Sequence, residues 1–216
     1  MTRSISDIVA ELERNPYQII PIYAKYSGIL HYNGIEEGMT VLPAMGRWKE
    51  IPATVLATIT REKVDKAIIA EKRAVVTQIF PELEGTFVQA GTEIMSVRHY
   101  YSKEEVLDIV LKHSLHLFCA PERAKYYFIP DVEKKITANG SRSIHVYDGM
   151  PLFIMSRMKR EVALSYTGPE GIIYSVYTTP NENVDANAPL IGVCKEDMLP
   201  HIEEIVNTLQ CQWQEQ

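Results

Sequence analysis

The residues best placed for chemistry lie in the stretch GMPLFIMSRMKREVAL, Gly149 to Leu164. Two apolar, strand-like runs flank the segment Ser156-Arg157-Met158-Lys159-Arg160-Glu161, the pattern of a β-hairpin that presents a charged tip to water. Lys159 stands in the middle of that tip, where a primary amine is exposed, held on a tight turn and reachable by a large enzyme. A neutral primary amine so placed is a nucleophile, and the question is whether Lys159 works as one or is a solvated charge. Left unmodified, Arg157, Lys159 and Arg160 make a basic knob that steers an acidic partner or a phosphate group.

A second cluster suggests metal chemistry and does not complete it. His113, His116 and Cys119 follow one another at three-residue intervals at the end of a helix-like stretch, close enough for two of them to share an ion, with His99 as the nearest further candidate. No other Cys or His pair completes a four-ligand pattern, and the reading is of helix-face histidines beside a buried thiol. The chain has no Gly-rich phosphate loop, no His-Glu-x-x-His and no nucleophile elbow, so it is expected not to be an enzyme.

The elements that must position Lys159 are mostly strands. Ser4 and Ser6 can cap an amphipathic helix carrying Ile5, Ile8, Val9 and Leu12, which Asn15-Pro16 stops. Strand-like alternation then runs from Tyr17 to about Arg98. The stretch from Ser102 to Phe118 opens with a capping box, Ser102 and Glu105, and repeats apolar residues at Val106, Ile109, Val110 and Leu117, which predicts a helix. Strands return after Ala120-Pro121, in runs that include KYYFI, PLFIMS, EVALSYT, GIIYSVYTT and PLIGV, and an acidic helix closes the chain. The predicted organisation is a helix over 1–16, a β-rich module over 17–100, a connecting helix over 101–120, a second module over 121–194 and a helix over 195–216. Tyr126, Tyr127, Phe128, Tyr174 and Tyr177 fall on alternating strands and read as core.

Composition narrows the partners. A net charge of −6 disfavours nucleic acid, which needs a concentrated basic face. No apolar run approaches the roughly 20 residues of a membrane span, and the N-terminus lacks the apolar core of a secretory signal. Three cysteines at wide, irregular spacing argue against a disulfide framework. A cytoplasmic protein with protein or small-molecule partners is expected.

Two internal repeats connect the modules. VYDGMPL (146–152), VDANAPL (184–190) and VQAGTEI (88–94) share Val, a turn-forming residue and a final Leu or Ile at fixed spacing. GILHYNGIEEGMTV from Gly28 and GIIYSVYTTPNENV from Gly171 share a turn at ten residues and Val at thirteen. In this spacing the chain resembles the biotinyl and lipoyl carrier-domain family, the barrel-sandwich hybrid. In that family a Gly and a Leu stand ten and seven residues before the modified lysine, and here Gly149, Leu152, Ile154, Met158 and Lys159 occupy those offsets. Downstream, Gly171, Asn181, Val184, Pro189 and Leu190 follow the family pattern with about one extra residue. Ser156 stands where these domains usually have Glu, and Arg160 replaces the Met that follows the lysine in biotinyl domains.

The resemblance implies a mainly β protein with flanking helices, built from two related barrel-sandwich-hybrid modules. It also implies a non-catalytic function: Lys159 carries biotin, or second to it lipoate, on a swinging arm, with Met158 and Arg160 read by the modifying enzyme. The implied partners are a biotin protein ligase or lipoyl-transferring enzyme, and a carboxylase or acyl-transfer enzyme that uses the arm. A second echo, VDKAI (Val64 to Ile68), is similar to the Asp-Lys-Ala tip of lipoyl domains and nominates Lys66. The alternative is an unmodified adaptor of the same fold that binds proteins through its basic hairpin and its helices.

Overall fold

The structure, a computed structural model, describes residues 5–46, 48–179 and 181–213, and for 211 and 212 the backbone alone. The chain divides into two compact units, one of residues 10–102 and one of residues 103–213 together with 5–9. After helix α1 (Ile5–Arg14), the first unit contains β1 (Tyr17–Tyr23), β2 (Gly28–Tyr32), β3 (Thr40–Val41), β4 (Val55–Arg61), β5 (Val64–Ile69), β6 (Ala74–Ile79), β7 (Phe87–Val88) and β8 (Glu93–Tyr100). The second contains α2 (Lys103–Ser114), β9 (His116–Cys119), β10 (Ala124–Phe128), α3 (Pro130–Asn139), β11 (His145–Val146), β12 (Pro151–Arg157), β13 (Arg160–Ser165), β14 (Gly171–Val176), β15 (Asn183–Val184), β16 (Pro189–Cys194) and α4 (Leu199–Gln212). The protein is mainly β, and no described helix is long and apolar enough to cross a membrane.

Each unit is a pair of four-stranded antiparallel sheets with the same strand order. The first unit has β1-β8-β6-β3 and β5-β4-β2-β7; the second has β9-β16-β14-β11 and β13-β12-β10-β15. The correspondence extends to register. Gly28 and Ile29 pair with Val88 and Phe87, while Ala124 and Lys125, 96 positions later, pair with Val184 and Asn183. Arg61 faces Val64 as Arg157 faces Arg160, and the bulge between Val55 and Ala57 recurs between Pro151 and Phe153. The units are two copies of one design, offset by 96 residues through most strands. The faces of the two sheets that meet inside each unit bury its core: Leu30, Leu56, Ile59, Met95 and Val97 in the first, Tyr126, Leu152, Phe153, Ile173 and Val193 in the second. In the second unit Leu115, Tyr174, Cys194 and Ile202 form a smaller cluster where α2 and α4 cover a sheet face.

Several expectations change. The helix expected to run to Phe118 ends at Ser114, whose hydroxyl donates back to the Val110 carbonyl at 2.7 Å. Residues 116–119 form β9 instead, because Phe118 gains a place in the core opposite Ile191. The second β-rich module therefore begins before residue 121. A helix not foreseen, α3, is marked by Pro130 at its first turn and Gly140 at its end, with φ of 82° at Gly140. It occupies the stretch between Phe128 and His145, where the first unit crosses from Tyr32 to Thr40 without a helix. The pairing of Gly28 with Gly171 is not the repeat between units: Gly28 opens β2 and Gly171 opens β14, whose counterpart is β6. Of the serines expected to cap α1, Ser6 lies inside the helix and Ser4 outside the described residues.

Candidate functional site

The hairpin β12–β13 is anchored at its base. The bulge between Pro151 and Phe153 turns two consecutive side chains, Leu152 and Phe153, into the core, where both are fully buried. Phe153 stacks on Phe128 at 4.5 Å between ring centroids, stacks on Phe118 at 6.3 Å and meets Tyr126 edge-on at 6.4 Å. From this base the ladder runs in register to Arg157 opposite Arg160. Only Met158 and Lys159 are left for the loop.

Both loop residues have positive φ, 46° at Met158 and 63° at Lys159. A two-residue hairpin loop with positive φ at both positions is a type I′ turn, whose twist matches that of the strands it joins. The Met158 side chain is 86% exposed, and Lys159 and Arg160 are exposed beside it. Arg157 forms an ion pair with Glu122, which turns its guanidinium back along its own unit. Among the described residues, Lys159 and Arg160 form no ion pair or side-chain hydrogen bond. The expected three-charge knob thus reduces to two free cations, with the Lys159 amine outermost.

The first unit carries the same turn at the same place. Glu62 and Lys63, between β4 and β5, have φ of 52° and 68°. Lys63 lies 96 positions before Lys159 and holds the same position in the loop. Lys66, the residue nominated by the Asp-Lys-Ala echo, is three residues further on within β5, opposite Ile59, and its amine lies 4.2 Å from the centre of the Tyr26 ring. The tip lysine of the first unit is therefore Lys63. Its signal is present in the sequence: VLATITREKVDKAII (55–69) laid on PLFIMSRMKREVALS (151–165) matches at Leu56, Arg61, Lys63 and Ala67 without a gap. Behind each tip a hydroxyl on one strand faces an acid on the other. Thr60 donates to Asp65 at 2.7 Å, and Ser156 stands opposite Glu161 in the ladder. A carboxylate is thus supplied across the ladder from Ser156.

The remaining candidates are spread over separate elements, and Cys119 is partly exposed rather than the buried thiol expected. His113 lies on α2, whereas His116 and Cys119 lie on β9, so the three do not share a helix face. No group of three His, Cys, Asp or Glu among the described residues could hold a metal ion. His99 is buried and its Nδ1 lies 2.7 Å from the Arg73 carbonyl, to which it donates. Tyr126 and Tyr174 are core residues, as expected. Tyr166, which the sequence did not single out, is fully buried, and its hydroxyl donates to the Pro169 carbonyl at 2.8 Å. Burial, with a smaller contribution from the charge of Asp148, pushes its phenol up to about 12. Cys119 and Cys194 are free thiols, and the Cys211 side chain lies outside the described residues.

No family model matches the chain, and no curated protein matches it.

Proposed function

We propose that this chain is a carrier protein of barrel-sandwich-hybrid architecture that holds biotin, with lipoate second, as an amide on Lys159 and presents it to partner enzymes. One observation carries the reading. An exposed lysine is the second residue of a two-residue type I′ loop, on a bulged and core-anchored hairpin, and the arrangement recurs at Lys63. The shared strand order of the two units and their matched registers support the architecture.

In the attachment step the neutral Lys159 Nζ attacks the acyl carbon of a cofactor acyl-adenylate supplied by a ligase. The N–C bond forms, the C–O bond to phosphate breaks and AMP leaves with its electron pair, while the proton passes to a base of the ligase. The chain contributes position alone. The buried Leu152 and Phe153 fix the hairpin, Glu122 draws Arg157 aside, and Met158 and Arg160 flank the amine as the side chains a ligase reads. Once acylated, the lysine stem and the cofactor's chain form an arm that carries an activated group between a carboxylase or acyl-transfer partner's sites.

The test is intact mass and peptide mapping of the full chain purified from its native cells. The expected result is one biotinyl or lipoyl amide on Lys159, lost in Lys159→Ala. An unmodified Lys159 in that material overturns the carrier reading and leaves the adaptor, for which Lys159→Ala weakens partner binding by less than about 1 kcal/mol.

A further inference from the structure

The two copies also differ in how their interiors are filled. Between the sheets of the first unit, on the side where β1 and β5 are the outer strands, lies a cavity of about 510 Å³. Ile20 and Ile22 of β1, Leu56 of β4, Ile68 of β5, Val97 of β8 and Ala70 form its walls. In the second unit the positions equivalent to Ile22 and Ala70 are Phe118 and Tyr166. The backbone is the same at both: Ala70 N–H donates to the Thr54 carbonyl at 2.9 Å, and Tyr166 N–H to the Met150 carbonyl at 2.8 Å. Phe118 and Tyr166 are buried and meet edge-on at 5.3 Å, so they fill the corresponding space. One scaffold closes this space with two aromatic rings and the other leaves it open.

An apolar space of this size is far larger than the voids of a close-packed interior and lies within the range of small-molecule sites. Its inner walls offer side-chain methyl and methylene groups, and the polar side chains that line it, Tyr23 among them, are exposed ones, which suits a flexible aliphatic chain with a polar end. Its mouth is different. Lys25 and Lys72 flank Glu71 there, and the Lys25 amine pairs with Glu71 at 2.6 Å while both side chains stay more than half exposed. A pair so exposed is weakly held. Lys25 can therefore exchange Glu71 for an incoming carboxylate.

We infer that the first unit binds a fatty-acid-type ligand, with its aliphatic chain between the sheets and its carboxylate at Lys25. The site is independent of the lysine tips.

The experiment is a titration of the full chain with decanoate, below its micelle-forming concentration, followed through ¹³C-labelled isoleucine methyl signals. Saturable shifts at Ile20, Ile22 and Ile68 are expected. Ile22→Phe and Ala70→Tyr, which copy the second unit's own residues, are each expected to lower affinity at least tenfold with an unchanged circular dichroism spectrum. Lys25→Ala weakens decanoate and leaves 1-decanol binding unaltered. The inference is overturned by the absence of saturable shifts, by shifts that avoid these three residues, or by affinity that survives Ile22→Phe. If Ala70→Tyr fails to fold, the wild-type shifts and Ile22→Phe decide the matter.

Discussion

Replacing Lys159 by glycine removes the amine and should make the second unit more stable, because the turn holds an L-residue in the left-handed region. A left-handed conformation costs an L-residue about 1–2 kcal/mol, and Lys159 adopts it at φ 63° with no compensating side-chain contact among the described residues. Glycine relieves that strain but loses more backbone freedom on folding, which takes back about 0.5–1 kcal/mol. At the middle of both ranges the net gain is about 0.75 kcal/mol, on the order of 3–6 °C in the melting temperature of a unit this size. Alanine keeps the Cβ and the strain, so Lys159→Ala should lie within about 0.5 kcal/mol of the parent. Differential scanning calorimetry of the full chain, following the second unit's transition, measures the difference. Val162→Gly on the neighbouring exposed edge strand is the control and should lower stability. If Lys159→Gly melts at or below Lys159→Ala, the turn does not carry the strain and the reasoning fails. If the gain is found, a destabilising lysine occupies a position that glycine would fill better, which ties its presence to the amine.

Phe153→Ala removes a fully buried ring that touches three others. It should cost about 3–5 kcal/mol, read in urea unfolding and in faster amide exchange along β12 and β13; a loss under 1 kcal/mol would mean that the ring cluster does not anchor the hairpin. The Tyr166 phenol, raised to about 12 in the fold against an ordinary 10, titrates later in the native chain than in the unfolded one. Its contribution is complete below pH 10 and fades as pH climbs through about 12, so Tyr166→Phe should flatten the fall of melting temperature between pH 10 and 12. An equally steep fall in that variant would contradict the assignment.

The hairpin at 149–164 was legible because strand alternation, a two-residue gap and charge at the tip all point to one local structure. The long strands followed for the same reason. Residues 116–119 were misread because Leu117 continues a helical period, while the deciding interaction, Phe118 against Ile191, lies far away in the chain. The helix over Pro130–Asn139 left its marks in Pro130 and Gly140, but strands on both sides masked them. At the first tip a familiar tripeptide, Asp65-Lys66-Ala67, outweighed position. The amine at 66 faces Tyr26 on the strand, and only the constant spacing from Lys159 identifies Lys63. The cavity was the least legible feature, because it depends on Ala70 and Ile22 being small where Tyr166 and Phe118 are large. That contrast has meaning only once the two chains of residues are laid on the same backbone.

The inserted helix α3 follows Phe128, which faces Phe153 at the base of the hairpin, whereas Lys125, nearer the tip, faces Ser156. The two copies therefore tolerate different chain lengths at the end remote from the lysine and match residue for residue at the end that bears it. That asymmetry gives the protein engineer a usable handle. A peptide tag or fluorescent label grafted at the exposed Asn139-Gly140 corner extends a segment already free to vary and leaves the amine-bearing end unobstructed.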